Sequence, residues 1–484
     1  MTSPVDTSSP SGPGAEVHRQ HYGLTFAVLA LAGVTFSILQ SLVAPALPEI
    51  QRDLHTTATA AAWILTAYLL SASVLTPIVG RLGDIKGKEH TLVAVLVVLA
   101  LGTLLAAVAS SIQVLIVARV IQGAGGAIFP LAFGIIRDEF PRERVASGIA
   151  LISAILGVGG GLGIVLAGPI VDTLDYHWLF WLPLVLVVIA TVTTVLFVPE
   201  SPIKSPGRLN WSGAALLTAW LVCLLLAISE GTSWGWGDAR IVALFVAAAV
   251  LLAAWIRNEQ RAAEPLVDMQ MMRIRGVWTV NAAAFLVGAG MYSSFVLIPE
   301  FVEMPQSTGY GFGASVTQAG LFLLPSTFGM LLVSPLAGRL ANRVGARIPL
   351  ILGSAATCLA FVVMAAAHGE RWEVYVGSAI LGVGIGLAFA SLANLIVEAV
   401  APEQTGVATG MNTVMRSLGG SVGSTIGASV IAGTVVGTAL PTEQGFTVAF
   451  VIAAAACGLA ALASLAVPRP QRAPVGAGLA ADAA

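Results

Sequence analysis

Two arginines lie near the middle of long apolar stretches of the sequence, where a charged side chain is unfavourable. Gln122, Gly123 and Gly126 share the helix face of the first, Arg119, at spacings of three, four and seven residues. A guanidinium within a bilayer costs at least ~2.5 kcal/mol on insertion scales, so Arg119 must face a partner or a water-filled cavity. Because a guanidinium stays protonated, Arg119 can tune a titrating neighbour but cannot itself carry a proton. The alternative is a structural arginine that binds backbone carbonyls at a broken helix.

The second arginine, Arg416, has Asn412 four residues before it and Gly420 four residues after it on one helix face. Arg119, Gln122 and Arg416 therefore form one set of candidate functional residues, called the coupling set below. Two buried cations beside a central space would give a positive field. We expect such a field to favour neutral or anionic cargo over permanent cations.

A third cluster combines glycines with charges in the segment Gly80 to Lys88. Asp84 stands among basic residues between two apolar stretches, so its carboxylate can accept charge-assisted hydrogen bonds or bind a helix N-terminus. Such a contact can hold one conformation closed. Individual lysines here can equally be solvated loop charges. The predicted latch comprises Arg81, Gly83, Asp84, Gly87, Lys88 and Asn342.

Titratable carboxylates are scarce in the apolar stretches, because Asp and Glu fall near their ends. Glu300 and Glu303, beside Pro299, are the best remaining proton carriers, and Glu300 joins the coupling set. Both can also be solvated loop acids.

Contacts to a small-molecule cargo should come from polar and aromatic side chains on inward helix faces. These side chains can instead hold helices together. The predicted cavity residues are Gln40, Trp63, Tyr68, Asn281, Tyr292, Asn394 and Asn412.

The elements that position these residues follow from composition. The 484 residues are 57% hydrophobic and only 10% charged, against roughly 25% charged in soluble domains. Apolar runs of about 20 residues predict fourteen membrane helices. Their approximate ranges are 24–47, 57–80, 91–109, 112–136, 145–171, 178–198, 211–229, 240–256, 276–299, 315–337, 348–367, 373–398, 406–436 and 446–467. The three cysteines lie in apolar runs, so we expect no disulfide and no metal site.

Basic residues test this helix count, because they stay on the cytoplasmic side of a membrane. With the N-terminus inside, only Arg52, Arg240 and Arg371 fall in outward loops. Arg119 and Arg416 fall within helices, which leaves eighteen of the 23 basic residues inside. The sequence thus predicts a plasma-membrane protein with both termini cytoplasmic.

An internal repeat predicts the domain organisation. The segment Gly80–Gly87 resembles Gly338–Gly345, and each joins a second helix to a third. Paired bundles that rock about a midplane site are typical of secondary transporters. The predicted regions are a disordered tail over 1–22, a six-helix bundle over 23–199, a linker with two extra helices over 200–265, a second six-helix bundle over 266–468 and a tail over 469–484.

Gly80, Leu82, Gly83, Asp84, Gly87 and Lys88 match the pattern G-x-L-[AG]-D-x-x-G-[RK]. With Trp63–Leu69, Arg119–Gly126 and Asn412–Ser421, the chain resembles the fourteen-helix drug:proton antiporter branch of the major facilitator superfamily. The resemblance implies that the Asp84 loop stabilises the outward-facing state and that Arg119 takes part in proton transfer. The glycine-rich stretch Gly157–Pro169 resembles the antiporter signature, although Ile164 and Ala167 depart from it. The first helix has Gln40 in the region where many relatives carry an Asp.

The resulting hypothesis is a monomeric exporter of small amphipathic molecules, driven by the proton gradient without a cofactor. An importer on the same fold and a membrane sensor without transport activity are the alternatives. The sequence contains no G-x-x-x-x-G-K-[ST] loop for an ATP-driven pump and no clustered histidines or carboxylates in the apolar stretches for an enzyme. Nucleic acid is not an expected partner.

Overall fold

The computed structural model describes residues 22–201, 203–432 and 440–468. Within these ranges every regular element is helical, which confirms the all-α prediction. The predicted tails over 1–22 and 469–484 lie, except for Tyr22, outside the described residues. The helices are α1 Tyr22–Ser41, α2 Val43–Asp53, α3 Ala58–Lys86, α4 Lys88–Ala107, α5 Ile112–Gln122, α6 Ile128–Glu139, α7 Arg142–Thr173, α8 Trp178–Phe197, α9 Trp211–Trp234, α10 Ala239–Arg261, α11 Met269–Arg273, α12 Arg275–Glu303, α13 Val316–Val344, α14 Arg347–Ala366, α15 Arg371–Ala399, α16 Thr405–Ala432 and α17 Glu443–Leu465.

Thirteen helical stretches in the described residues are long and apolar enough to cross a membrane. The remaining long helix, α16, has 28 residues and covers the predicted helix over 406–432, whereas its predicted end over 433–436 lies outside the described residues. Its glycines, serines and threonines lower its hydropathy below that of the others. Glycines on α12 and α16 let the two backbones touch, as where Gly419 faces the carbonyl of Phe285. We infer that α16 tolerates its polar composition because neighbouring helices surround it.

Two of the predicted continuous helices are interrupted. The first divides at Leu42 into α1 and α2, and Pro45 and Pro48 follow the break. The fourth divides into α5 and α6 around a short 3₁₀ turn over Gly123–Ala127. The glycines of this turn lie so close to α3 that a Cβ at Gly123 would collide with Ser71. These two breaks surround the Arg119 side chain.

The buried apolar residues form two main cores. One is built mainly from α1 to α8, and the other mainly from α9 to α17. The two extra helices contribute Leu217, Trp220 and Trp255 to the second core. The predicted domain boundaries stay a prediction. Below, α1–α8 are called the first half and α11–α17 the second half.

The connecting segments alternate between the two ends of the helical bundle. We call the end with the segments after α3, α6, α8, α10, α13 and α15 the basic end, and the opposite end the far end. At the basic end Arg347 donates a hydrogen bond to the carbonyl of Leu465, and at the far end His368 lies 3.1 Å from the Glu443 carboxylate. The candidate functional residues fall into a cluster at the basic end and a cluster between the two ends.

Candidate functional site

Asp84 joins the two halves at the basic end. Its side chain is fully buried, and its two oxygens accept hydrogen bonds from the backbone amides of Gly406 and Val407, each at 3.0 Å. Those amides belong to the first turn of α16, where amides have no partner within the helix and the helix dipole attracts a carboxylate. The close packing of Gly80 against Gly406 brings α3 and α16 together here. Asp84 therefore binds a helix N-terminus of the opposite half. The sequence indicated that Asp84 could bind a helix N-terminus but did not identify which helix.

Three further contacts close the basic end between the halves. Arg137 donates to the Thr405 hydroxyl at 2.7 Å and to the Val400 carbonyl at 2.9 Å. Asn342 donates to the Glu143 carbonyl at 2.9 Å, and Asn394 donates to the Ala146 carbonyl at 3.2 Å. Asn342 thus takes part in closure, as predicted. Asn394 was predicted in the cargo cavity, but the structure places it in this closing contact instead.

The other predicted latch residues support Asp84 from within the first half. Arg81 donates to the Ser205 hydroxyl at 2.9 Å, and the amide of Ser205 donates to the Asp84 carbonyl at 2.6 Å. A Cβ at Gly83 would meet the end of the Leu131 side chain, so a larger residue there would have to displace that side chain. Gly87 has a φ of 107°, a conformation that favours glycine, and it separates α3 from α4.

Lys88 contacts a partner that the sequence did not identify. Its ammonium lies 2.6 Å from the Asp138 carboxylate, and both side chains are fully buried. Ser201 also donates to Asp138, so α4, α6 and the segment after α8 meet at one carboxylate. A buried ion pair of this kind must stay complete, because an unpaired buried charge is strongly unfavourable. Lys88 therefore supports the basic end without touching the second half.

Arg119 lies in α5, within the bundle on the far-end side of its middle, and is fully buried. Its guanidinium donates to the carbonyls of Leu39 and Ile64 at 3.2 and 3.3 Å and to the Gln122 side chain at 2.9 Å. It also lies 4.0 Å from the centroid of the Tyr68 ring. Leu39 precedes the break between α1 and α2, so this geometry matches the structural alternative. One terminal nitrogen has no hydrogen-bond partner among the described residues.

Arg416 lies in α16 of the second half, on the basic-end side of its middle, and has fewer polar contacts. Its guanidinium lies 4.6 Å from the centroid of the Phe389 ring, and its Nε has no partner within the described chain. Asn412 does not extend toward cargo, because its amide donates to Asn281 at 2.9 Å and joins α16 to α12. Both asparagines were predicted in the cavity. The structure places them in a contact between helices.

A cavity of about 290 Å³ lies between the halves. It is lined from α1, α3, α7, α12 and α16, by residues that include Gln40, Tyr68, Gly160, Tyr292, Phe295 and Ser424. None of the described residues that line it is charged, and most of its surface is apolar. Gln40, Tyr68 and Tyr292 thus stand where the sequence predicted them, whereas Trp63 does not line it. Pockets of this composition suit small amphipathic molecules.

Glu300 is half-buried in α12, one helical turn beyond Val296, which lines the cavity. It therefore lies on the cavity side of α12 toward the far end. Glu303 follows in the next turn and is also half-buried. Glu300 and Glu303 are distant in sequence from Arg119 and Arg416. Within the described residues, no contact joins either carboxylate to either guanidinium.

Sequence reasoning missed several residues at the basic end. Arg137 was counted only among the basic residues on the inner side, and Asp138 and Thr405 were not singled out. The sequence Pro402–Gln404 at the start of α16 resembles Pro141–Glu143 at the start of α7. Nothing in the sequence paired the start of α16 with Asp84, because hydrogen bonds to backbone amides leave no trace in residue types.

Comparison with known proteins places this geometry in context. A family model described as "Major Facilitator Superfamily" matches residues 29–424 and 282–482. An uncharacterized MFS-type transporter of Mycobacterium tuberculosis is 30% identical over 400 residues, which cover 80% of this chain and 56% of that protein. The chain thus spans little more than half the length of this relative.

Two relatives of more similar length carry functional names. Multidrug resistance protein 3 of Bacillus subtilis is 29% identical over 389 residues, covering 79% of this chain and 75% of the relative. The tetracenomycin C resistance and export protein of Streptomyces glaucescens is 25% identical over 419 residues, covering 84% and 76%. A crystal structure of a human organic anion transporter aligns with a TM-score of 0.66 at 16% identity, covering 93% of this chain and 99% of that one. At that identity the likeness concerns the fold alone.

Proposed function

The chain belongs to the major facilitator superfamily, and on that premise we propose that it exports small amphipathic molecules across the bacterial plasma membrane by proton antiport with alternating access. The observation that carries this proposal is a cavity lined by both halves of a molecule whose basic end is closed. A transporter with alternating access requires such a site, reachable from one side at a time.

The orientation follows from the distribution of basic residues. Those residues favour the cytoplasmic side, so the basic end would be cytoplasmic, with both termini inside. The described conformation then corresponds to the outward-facing side of the cycle, with Asp84 as its latch. Opening of the basic end requires α3 and α16 to part, which exposes the first turn of α16. A cytoplasmic cargo could enter the cavity only in that second state.

Export is favoured over import by the relatives. Two of them are named for multidrug resistance and for export of tetracenomycin C. The cavity supports amphipathic cargo, because it combines an apolar surface with a few polar groups. Arg119 and Arg416 have no carboxylate partner in any described contact, so the central field is positive and favours neutral or anionic cargo.

Proton coupling is assigned here to Glu300, with Arg119, Gln122 and Arg416 as positioning residues. Glu300 is the acidic residue on the cavity side of α12 closest in sequence to the lining residues. A proton on Glu300 removes a negative charge at the far-end mouth of the cavity. Arg119 acts through two helices: its bond to Leu39 fixes the α1 backbone that presents Gln40 to the cavity, and its bond to Ile64 fixes the α3 backbone one turn before Tyr68.

Flux in proteoliposomes tests the proposal. An imposed pH gradient should drive a naphthalene-based neutral probe uphill against the proton flow. Movement of the probe in the same direction as protons would instead support an importer. Absence of any flux, with the same protein binding the probe, would support a sensor. Ethidium serves as a cationic comparison, and its preference over the neutral probe would contradict the inferred field.

A further inference from the structure

A second, smaller cleft opens from the central cavity between α3, α9, α12 and α16. The two spaces share Leu69, Tyr292 and Ser424 in their walls. The chemistry of the cleft is different, because hydroxyl groups line much of it. These come from Thr66, Ser73, Ser229, Ser417, Ser421 and Ser424. The cleft is thus more polar than the central cavity, although apolar side chains still supply most of its surface.

Several of these hydroxyls lack a partner. The side chains of Ser73, Ser417 and Ser421 make no hydrogen bond within the described part of the chain, and Ser73 is only 4% exposed. Ser424 bonds to its own helix, and the Thr66 and Ser229 hydroxyls are 3.3 Å apart. The Ser73, Ser417 and Ser421 hydroxyls line the cleft and are therefore free to bond a ligand or water in it.

Tyr68 supplies an independent observation in the adjoining central cavity. Its ring lines the central cavity, its side chain is 1% exposed, and its hydroxyl has no partner among the described residues. The Arg119 guanidinium lies against the face of the ring, so the ring cannot swing away freely to find another partner. A donor or acceptor that enters the space between α3 and α12 would complete this arrangement.

We propose that the cleft is a subsite for a neutral, hydroxyl-bearing substituent of the cargo, whose apolar body occupies the central cavity. The proposal rests on the proposed transport of amphipathic molecules and names the class of molecule. The cleft holds about 100 Å³, room for a group of the size of a glycerol unit rather than for a second molecule. None of the described residues that line it is charged, so an ionic substituent would lose its hydration without gaining a partner.

The subsite gives the extra helix α9 a role in recognition. Leu225 and Ser229 of α9 form one wall of the cleft, and Ser229 meets Thr66 of α3. Helix α9 thus lies where α3 and α16 diverge toward the far end. The two halves alone would leave this side of the cleft without a wall.

A matched pair of fluorescent probes tests the inference. The first is 3-(2-naphthyloxy)propane-1,2-diol, and the second is 2-propoxynaphthalene, which has the same ring and chain without the two hydroxyls. Binding is measured to the full-length protein in lipid nanodiscs by equilibrium dialysis, with empty nanodiscs subtracted. The wild-type protein should bind the diol roughly tenfold more tightly, since each net hydrogen bond contributes about 1 kcal/mol.

The test variant combines Thr66→Val, Ser417→Ala and Ser421→Ala. It should reduce the diol preference to about one- to twofold and leave the affinity for 2-propoxynaphthalene within about twofold of the wild type. Ser354→Ala is the matched control, because Ser354 is buried in α14 without a partner and lies outside both spaces. It should retain the full preference.

The inference is overturned if the wild type shows no preference, if the preference survives in the triple variant, or if neither probe binds. Its failure differs from failure of the transport proposal. Equal binding of both probes, with pH-driven flux of 2-propoxynaphthalene intact, sinks only the subsite. A diol preference without any pH-driven flux supports the subsite and contradicts proton-coupled export.

Discussion

At the scale of single residues, the two buried arginines differ in what they touch. Arg119 binds two backbone carbonyls, a glutamine and an aromatic ring, whereas the contact found for Arg416 is the ring of Phe389. Arg119 therefore holds the backbones of α1 and α3 in place. This role needs several hydrogen-bond donors in a fixed arrangement, and the side chain that supplies them carries a charge. Only a planar guanidinium offers five donors in that arrangement.

This assignment predicts that charge alone cannot replace Arg119. In Arg119→Lys the ammonium retains the charge but cannot reach both carbonyls and the Tyr68 face. We expect transport to fall at least tenfold, and the melting temperature in detergent, followed by intrinsic tryptophan fluorescence, to fall by several degrees. Arg257→Lys, near the end of α10, is the control. Full transport by Arg119→Lys would contradict the positioning role.

The coupling assignment predicts a selective effect at Glu300. Because Gln cannot titrate, Glu300→Gln should abolish the dependence of export on the pH gradient and leave cargo counterflow without a gradient within about twofold. Glu303→Gln, one turn further toward the end of α12, is the matched control and should keep the dependence. Intact pH-driven export in Glu300→Gln would end the assignment.

The sequence identified these candidates because rare polar residues in apolar helices are visible as residue types. It could not say what they contact. Asn281, Asn394 and Asn412 are polar residues of the kind expected in a cavity, but the side-chain amide of each contacts another helix instead. Gln40, Tyr68 and Tyr292 face the cavity with the same kind of signal. Whether a side chain faces the cavity depends on the rotation of its helix about the helix axis and on the helix breaks at Leu42 and Gly123.

At the scale of elements, glycines decide how closely the helices of the two halves meet. Gly80 and Gly406 let α3 touch α16 at the basic end, and Gly161 faces Thr327 where α7 meets α13. Lipid provides no hydrophobic drive between helices, so such close packing supplies much of the attraction. The glycine density was evident from the sequence, but the pairing of helices across the halves was not.

The α3–α16 contact predicts a strong effect of volume at Gly406. In Gly406→Val the added side chain meets the Gly80 carbonyl and the Asp84 carboxylate. The basic end should then fail to close, and transport should fall at least tenfold. Gly23→Ala is a suitable control, because a Cβ there has no neighbour within 4 Å. Normal transport by Gly406→Val would show that the contact is not needed in the cycle.

At the scale of the whole molecule, the two halves are joined at the basic end, and the central cavity lies between them. The all-α architecture and nearly every long helix followed from hydropathy and charge, because a bilayer imposes length and apolarity directly. The closure of the basic end did not follow from hydropathy and charge, because it depends on backbone amides of α16 that carry no sequence signature.

Loss of the latch should shift the balance between states. Asp84→Asn removes the negative charge that faces the N-terminus of α16 and one of the two hydrogen bonds to it. The closed basic end should thereby lose about 1–3 kcal/mol of stability. Spin labels at Arg142 and Ala401, in a variant without the three cysteines, should report a longer distance by double electron–electron resonance. Asp238→Asn, at the far end, should leave the distance unchanged. An unchanged distance in Asp84→Asn would show that Asp84 does not hold the halves.

The most direct test of proton antiport reverses the coupling. Proteoliposomes that contain a trapped pH-sensitive dye receive an outward gradient of neutral naphthyl cargo and no initial pH gradient. Antiport predicts that cargo leaving the vesicles drives protons inward, so that the lumen acidifies at a rate that saturates with cargo and vanishes in Glu300→Gln. Cargo efflux with no change of lumen pH, or with alkalinisation, would contradict proton-coupled export.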